Sequence, residues 1–592
     1  MRSVVAMYRE VVSVLPPGGR RFLNAYQWAL ASLAVFDIAA LGLLAAVVAP
    51  AAAGQPVTLP VIGELDSIGI LWMLVAVCAL MIAKGVFAVG VTWWATRRIP
   101  KYEVAIGDRL FRAYLAAPWR DRLRKNSTDI MRFTDSGVDS TTNSFLLPGA
   151  TLLAELVSLV AVIGTLAVIQ PIVALTTLVY MLAVGAILFF WIARHARLAG
   201  EINVRYSIRT SRLILEVIAA LKEVTLRKKE NEVADLVRTA RSYSARARAN
   251  TNFLQQLPRF ALEAALVGGF VLIGGVGFAI GGISEAIAAV ALFALAGFRV
   301  APSVIRSQSV LSNMVAASSY VRHVLDELKA AEAGGAEAQA PSTAPMPEAP
   351  RELDFTSVSF AYDDPSSPAV SEVTIKIPFG ESIAFVGASG SGKSTMVDLV
   401  LGLLEPTSGS ITIDSLPLPS LRGAWRSRVG YVPQEVSLFD GTIAQNVGLT
   451  WADDLVEDKV RVCLEKVGLL SDIEARPGGI HGLVGERGMA LSGGQRQRLG
   501  IARALYTDPL VLVMDESTSS LDTQTEAQVT EAINAIEGGI TKIVVAHRLA
   551  TIRDFDRIFF MSNGRVVSEG RFDELVSEVP EFARQAFLAG LA

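Results

Sequence analysis

Two halves of unlike texture predict a multidomain chain: an all-α, six-helix transmembrane domain over 1–329, a linker over 330–350 and an α/β domain over 351–592. Three observations carry this reading. Six apolar segments precede residue 310. A stretch of Ala, Pro, Gly and Glu with no apolar period follows them, the composition of a linker. Beyond it, short β-rich runs alternate with helical ones, the pattern of a largely parallel sheet. Across its 592 residues the chain is 52% apolar, with mean hydropathy +0.43, which excludes an ordinary soluble protein. The net charge of -3 is uninformative because the charge is unevenly placed. Cys78 and Cys463 are too far apart in character to argue a disulfide framework or a metal cluster.

The apolar segments run over 28–49, 69–96, 147–169, 171–193, 258–280 and 285–306, each long enough to cross a hydrocarbon core. Arg2, Arg9, Arg20 and Arg21 precede the first, and Ala51–Ala53 follow it, as in a secretory signal. The apolar run is longer than a signal core, so a retained membrane helix is expected, with a short amphipathic helix ahead of it on the cytoplasmic surface. The connections at 50–68, 169–171 and 280–285 are short and lack Lys and Arg. The two others, from Arg97 to Arg132 and from Arg194 to Arg248, are long and basic. The positive-inside rule places these, and both termini, in the cytoplasm. Their composition favours helix, so the membrane helices are expected to continue into the cytosol and turn there.

Ionisable residues within apolar spans are costly and therefore informative. Asp37, Lys84, Glu155, Glu263 and Arg299 qualify, with Arg259 near the cytoplasmic end of its helix. Asp37 and Lys84 fall at similar depth, and a neutralising ion pair is the plainer expectation for them. Lys84, Arg259 and Arg299 are also the candidates for meeting an anionic substrate. Arg299 has no acidic neighbour along its own helix.

In the soluble half, Gly387-Ala388-Ser389-Gly390-Ser391-Gly392-Lys393-Ser394-Thr395 fills the phosphate-loop pattern, between a predicted strand over 382–386 and a predicted helix from Met396. Glycines let backbone amides face phosphate oxygens, and the helix start adds its positive end. Lys393 is expected on the terminal phosphates of ATP and Ser394 on Mg2+. A second apolar strand, 510–514, ends in Asp515-Glu516. Asp515 is expected to hold Mg2+ and Glu516 to polarise the attacking water.

Leu491-Ser492-Gly493-Gly494-Gln495 then resembles the signature motif of ABC transporters. The resemblance runs from about 355 to 580. It implies that Ser492, Gly493, Gly494 and Gln495 bind a nucleotide held mainly by a second subunit. Tyr362 resembles the aromatic that stacks on adenine. Gln434 resembles the glutamine that joins nucleotide, metal and membrane domain. Asp522, in Ser520-Leu521-Asp522, resembles the loop facing the other subunit's site, and His547 the switch histidine. The stretch 484–488 is similar to one found in exporters, whose membrane and nucleotide domains share a chain. Ser517 and Ser519 stand where alanines are usual.

One phosphate loop and one signature per chain imply a homodimer with two shared ATP sites. Leu221-Lys222-Glu223-Val224 and Leu257-Pro258-Arg259 also resemble segments of bacterial lipid-linked oligosaccharide flippases, in which basic residues of the second, fifth and sixth helices handle the lipid pyrophosphate. The resemblance implies ATP-driven export or flipping of an amphipathic or lipid-linked substrate by alternating access. Its setting would be a bacterial inner membrane, with lipid and no nucleic acid as partner. The rival readings are a multidrug or peptide exporter, an exporter-fold siderophore importer, and an ATP-gated channel or regulator. Glu516 argues against the last.

Overall fold

A computed structural model describes residues 2–52, 58–59, 63–64, 67–169, 171–338, 344–452, 455–485, 488–515, 539–546 and 548–591. The chain divides into two compact units, one of Met1–Ala117 with Arg122–Ala336, the other of Pro118–Asp121 with Glu337–Ala592.

The first unit is helical: α1 (Arg2–Val14), α2 (Pro17–Ala31), α3 (Leu33–Ala52), α4 (Ser67–Ala116), α5 (Trp119–Leu123), α6 (Ser127–Arg132), α7 (Leu147–Ile169), α8 (Pro171–Ala219), α9 (Leu221–Leu226) and α10 (Glu230–Ala338), with α5 shared between the units. Two-residue strands β1 (Thr58–Leu59) and β2 (Gly63–Glu64) pair between α3 and α4. At 50 residues α4 is about 75 Å long, more than twice a hydrocarbon core, and α8 has 49 residues. The basic connections are therefore helical continuations of the apolar segments, as their composition predicts. Among the described residues, five helices are long and apolar enough to cross a membrane. Six were expected. The difference lies in α10, which leaves helical geometry at Gly281 (φ −145°, ψ 18°) and Gly282 (φ 74°, ψ −157°). Gly277 then faces Ala286, Gly274 faces Val290, Gly269 faces Phe293 and Gly297 faces Leu266. Paired numbers with a nearly constant sum mean an antiparallel hairpin, and the small residues let its two arms approach closely.

The amphipathic α1 does not keep its apolar face for lipid. Met7, Val11 and Leu15 are buried with Phe22, Phe145, Leu325 and Leu328. Glu10 pairs with Lys329, and Arg109 donates to the Val14 carbonyl at 2.7 Å.

The second unit holds two sheets. A four-stranded antiparallel sheet has the order β4 (Val370–Pro378), β3 (Glu352–Phe360), β6 (Ser408–Ile413), β7 (Leu416–Pro417). A six-stranded sheet has the order β12 (Arg565–Gly570), β11 (Arg557–Ser562), β5 (Ser382–Val386), β10 (Thr541–Val545), β9 (Val511–Asp515), β8 (Val429–Val432). All of its pairs are parallel except β11–β12. Alternate residues feed opposite cores. Ile383, Phe385, Val511, Val513, Ile543 and Val545 join one, while Ala384, Val386, Leu512, Met514 and Val544 join the other. Burial on both faces explains why these strands read as continuous apolar runs.

Candidate nucleotide site

Parallel strands bring their carboxyl ends to one edge of a sheet, where ligands of open α/β folds bind. Phe385, Val545 and Asp515 are level across β5, β10 and β9, and Val432 pairs with Met514 one step back. The loop from Gly387, the acid Asp515 and the segment holding Gln434 therefore emerge side by side. Glu516, Asp522 and His547 lie outside the described residues, immediately beyond or downstream of these strand ends.

The phosphate loop leaves β5 and turns into α11 (Lys393–Val400). Gly392 caps that helix in a left-handed conformation, φ 101°, with the Ala369 carbonyl where a Cβ would stand. Gly387 likewise has the Met561 carbonyl against it. Lys393, only 6% exposed, donates from Nζ to the Gly387 carbonyl at 2.8 Å and the Ala388 carbonyl at 2.9 Å. Its charge is thus held over the loop by backbone dipoles. Ser389 and Gly390 are exposed at the tip, Ser391 and Thr395 are buried, and Ser394 is exposed on the first helical turn. The Tyr362 hydroxyl lies 3.3 Å from that of Thr395, and its ring stands edge-on to Phe360.

The donors fit Mg2+. Ser394 and Gln434 are exposed and Asp515 half-buried, and all three offer hard oxygen. The local field also favours a cation. Asp398 of α11 is pushed up to about 6 by burial and by the Asp515 carboxylate, against a hydrogen bond from Trp119 that lowers it. Tyr431 is pushed up to about 12 by burial and by Asp515 and Asp398.

The signature helix α12 (Gly493–Leu505) opens with a capping box: Ser492 Oγ accepts from Gln495 N at 3.2 Å and Gln495 Oε1 from Ser492 N at 3.1 Å. Gln495 therefore shapes the helix end. Ser492 and Gly493 are exposed there and Gly494 is buried. An exposed helix start with a hydroxyl is an anion site.

Several supports escape a reading of motifs. Buried Asn446 bonds the backbone of Phe439 and Thr442, and Arg503 of α12 donates to its carbonyl at 2.7 Å and its side chain at 3.0 Å. Burial lowers the pKa of Arg503. Asp398 and Trp119 were also missed, because neither belongs to a motif.

In the first unit, Lys84 donates to both Asp37 carboxylate oxygens at 2.6 Å, and Ser158 reaches the same group at 3.3 Å. The ion pair expected from sequence is present. Glu155 is engaged bidentately by Arg306, at 2.5 and 3.0 Å, with Ser303 at 2.6 Å. Arg259 pairs with Glu263 on its own helix at 3.2 Å and stays largely exposed. Arg299 lies on α10, with its side chain outside the described residues.

Residues 370–519 match the ABC transporter family model. The chain is 42% identical over 233 residues to the ATP-dependent lipid A-core flippase of Burkholderia orbicola (strain AU 1054), covering 39% of each chain. It is 39% identical over 233 residues to a multidrug resistance ABC transporter ATP-binding and permease protein of Lactococcus lactis subsp. lactis (strain IL1403), again 39% of each. These matches span about two fifths of those relatives' length. In fold it resembles a bacterial Atm1-family ABC exporter solved with ATP bound, at TM-score 0.78 and 21% identity over 97% of this chain and 98% of that one. The chain is an integral membrane protein whose residues 370–519 form an ABC transporter domain, and it has the fold of an ABC exporter.

Proposed function

We propose that this chain is half of an ATP-driven exporter that moves an amphipathic, anionic lipid across the membrane by alternating access. The observation that carries it is the presence, on one exporter-type fold, of a complete phosphate loop at the strand ends and an exposed signature helix start. The two work together only when each meets the other's counterpart, so the active species is a homodimer with two equivalent ATP sites. Lys393 neutralises the terminal phosphates, Ser492 and the α12 amides hold the phosphate from the other side, and Tyr362 stacks on adenine. Glu516 orients water and His547 stands by the terminal phosphate. Ser394, Gln434 and Asp515 would hold Mg2+, which supplies charge neutralisation between the phosphates when bound. ATP drives transport because it binds the closed dimer better than the open one.

The substrate class is supported by the basic residues of the membrane half and by the likeness to the lipid A-core flippase of Burkholderia orbicola. Arg259 is the best placed, since its pairing with Glu263 leaves the guanidinium 69% exposed and able to meet a further anion. Lys84 is engaged with Asp37 and contributes less. Arg299 completes the candidate set. The long basic connections support a topology with both termini on the cytoplasmic side of a bacterial inner membrane.

The test is ATPase activity of the purified chain in lipid, with and without a polyprenyl-pyrophosphate saccharide, beside Glu516→Gln. Stimulation by that lipid, abolished in Glu516→Gln, is the expected result. Hydrolysis that ignores it keeps the ATPase and sends the search to other amphiphiles. Undiminished turnover in Glu516→Gln removes the residue from its role.

A further inference from the structure

The extensions of the long helices beyond their apolar segments enclose a cavity of about 590 Å3, lined from α4, α6, α8 and α10 and wholly within the first unit. That volume is in the range of small-molecule pockets. Its lining is of two kinds. Leu110, Ile130, Phe133 and Ile208 are apolar, and the His323 ring stacks on Phe133 at 5.0 Å. Three permanent cations, Arg124, Lys125 and Arg212, stand among two carboxylates, Asp129 and Glu327. The acids are not engaged alike. Lys125 holds Glu327 closely. Arg212 meets Asp129 at 3.3 and 3.4 Å, longer than the 2.7–2.9 Å of a close charge-assisted bond, and its side chain is 45% exposed. The wall is also wound unusually, since Phe133–Gly137 is a π turn. Such turns are rare and concentrate at functional sites.

Depth along the helices says what reaches this cavity. Leu110 lies 14 residues beyond the apolar segment that ends at 96, Ile208 15 beyond 193, Phe133 14 before 147 and His323 17 beyond 306. At 1.5 Å per residue all four walls lie about 21 to 26 Å outside the apolar segments. A headgroup layer adds only about 5 to 8 Å. The ligand therefore comes from water and not from the bilayer. We propose that the cavity binds a soluble oxyanion of metabolite size, a phosphate or carboxylate compound, with Arg212 as its main ligand. The guanidinium exchanges its loose contact with Asp129 for a forked bond to the oxyanion. Arg124 adds charge, and the Phe133–His323 stack and Ile208 receive the uncharged part of the ligand. All four walls continue into the apolar segments, so an anion held between them favours whichever spacing of those helices fits it better. The site is regulatory and lies apart from the path of a lipid substrate.

The experiment is calorimetric titration of the full chain, in bilayer discs of phosphatidylcholine, with inorganic diphosphate and separately with citrate. Chelator is present, nucleotide is absent and chloride holds the ionic strength constant. Lys393→Ala removes the cation of the phosphate loop and serves as the background for every other variant. Saturable binding in that background is the expected result. Arg212→Ala should weaken it about 10-fold or more, with Arg212→Lys recovering part of the loss. Asp129→Asn removes the competing carboxylate and should tighten binding about 3-fold, a sign that a merely structural role does not produce. Hydrogen exchange of the 206–214 and 320–328 peptides should slow on adding the anion, and should not in Arg212→Ala. Tighter binding of diphosphate assigns the site to phosphate compounds, and tighter binding of citrate to carboxylates. Binding that vanishes with Lys393→Ala belongs to the phosphate loop and overturns the proposal. So does binding of both anions that neither Arg212→Ala nor Asp129→Asn alters. Should Arg212→Ala fail to fold, the sign of the Asp129→Asn effect decides alone.

Discussion

Two lysines, each largely removed from solvent, are held in opposite ways. Lys393 is bonded to carbonyls five and six residues before it, all within one loop. Lys84 is bonded to a carboxylate 47 residues away on another helix, and Arg306 to a carboxylate 151 residues away. At the phosphate loop, then, charge is handled by backbone groups that a short run of residues brings together. At Asp37 and Glu155 it is handled by side chains that only packing brings together. The first kind of site is local and leaves a motif. The second is distributed and leaves isolated charges in apolar runs.

The sharpest way to break this comparison is Lys393→Ala. The loop keeps its glycines and its fold, so the unfolding temperature should hardly change, while turnover falls about 1,000-fold because the cation opposite the terminal phosphates is gone. A large loss of stability would mean that Lys393 is structural, as Lys84 is taken to be.

Next in size is Asp37→Ala. It leaves the Lys84 ammonium without its carboxylate among apolar helices and should cost about 3 kcal/mol, read as loss of thermal stability in lipid. The double change Asp37→Leu with Lys84→Leu should recover most of it, since two apolar groups need no mutual compensation. Transport surviving in that double variant would confine the pair to folding. Transport lost with stability regained would give Lys84 the substrate role that its charge suggests.

The smallest effect sharpens the view of the α/β unit. Asp398 rises from 3.8 to about 6, chiefly by burial, so the folded state holds its proton more tightly than the unfolded chain does. Stability then falls as pH rises from about 4 through 6, and the loss persists above that. Asp398→Asn carries no such loss. Measured in chelator without nucleotide, its unfolding temperature should match wild type near pH 4 and exceed it by a few degrees at pH 7. Asp515 and Tyr431 are the groups that share this environment, so a Mg2+ ion supplied with nucleotide should narrow the gap.

How much could be read in advance follows the same division. The strands β5, β9 and β10 were legible as apolar runs because both faces are buried. The phosphate loop and the signature were legible because their glycines, lysine and capping serine do their work within nine residues or fewer. The helical extensions were legible from composition. The buried apolar face of α1 was not, because an amphipathic helix reads alike whether lipid or protein covers it. Nor was the Glu155–Arg306 bridge, since nothing along the chain links positions 155 and 306.

What order along the chain decided was the division into apolar helical and α/β halves, the identity of the phosphate-loop pattern and the capped start of the signature helix. These depend on hydropathy over tens of residues and on backbone conformations dictated by local glycines. Tertiary structure decided which charges neutralise one another across α3, α4, α7 and α10, and that Trp119 belongs beside Asp398. Those choices are made by side chains meeting through space, and a linear order carries no distance between residues that are remote along it.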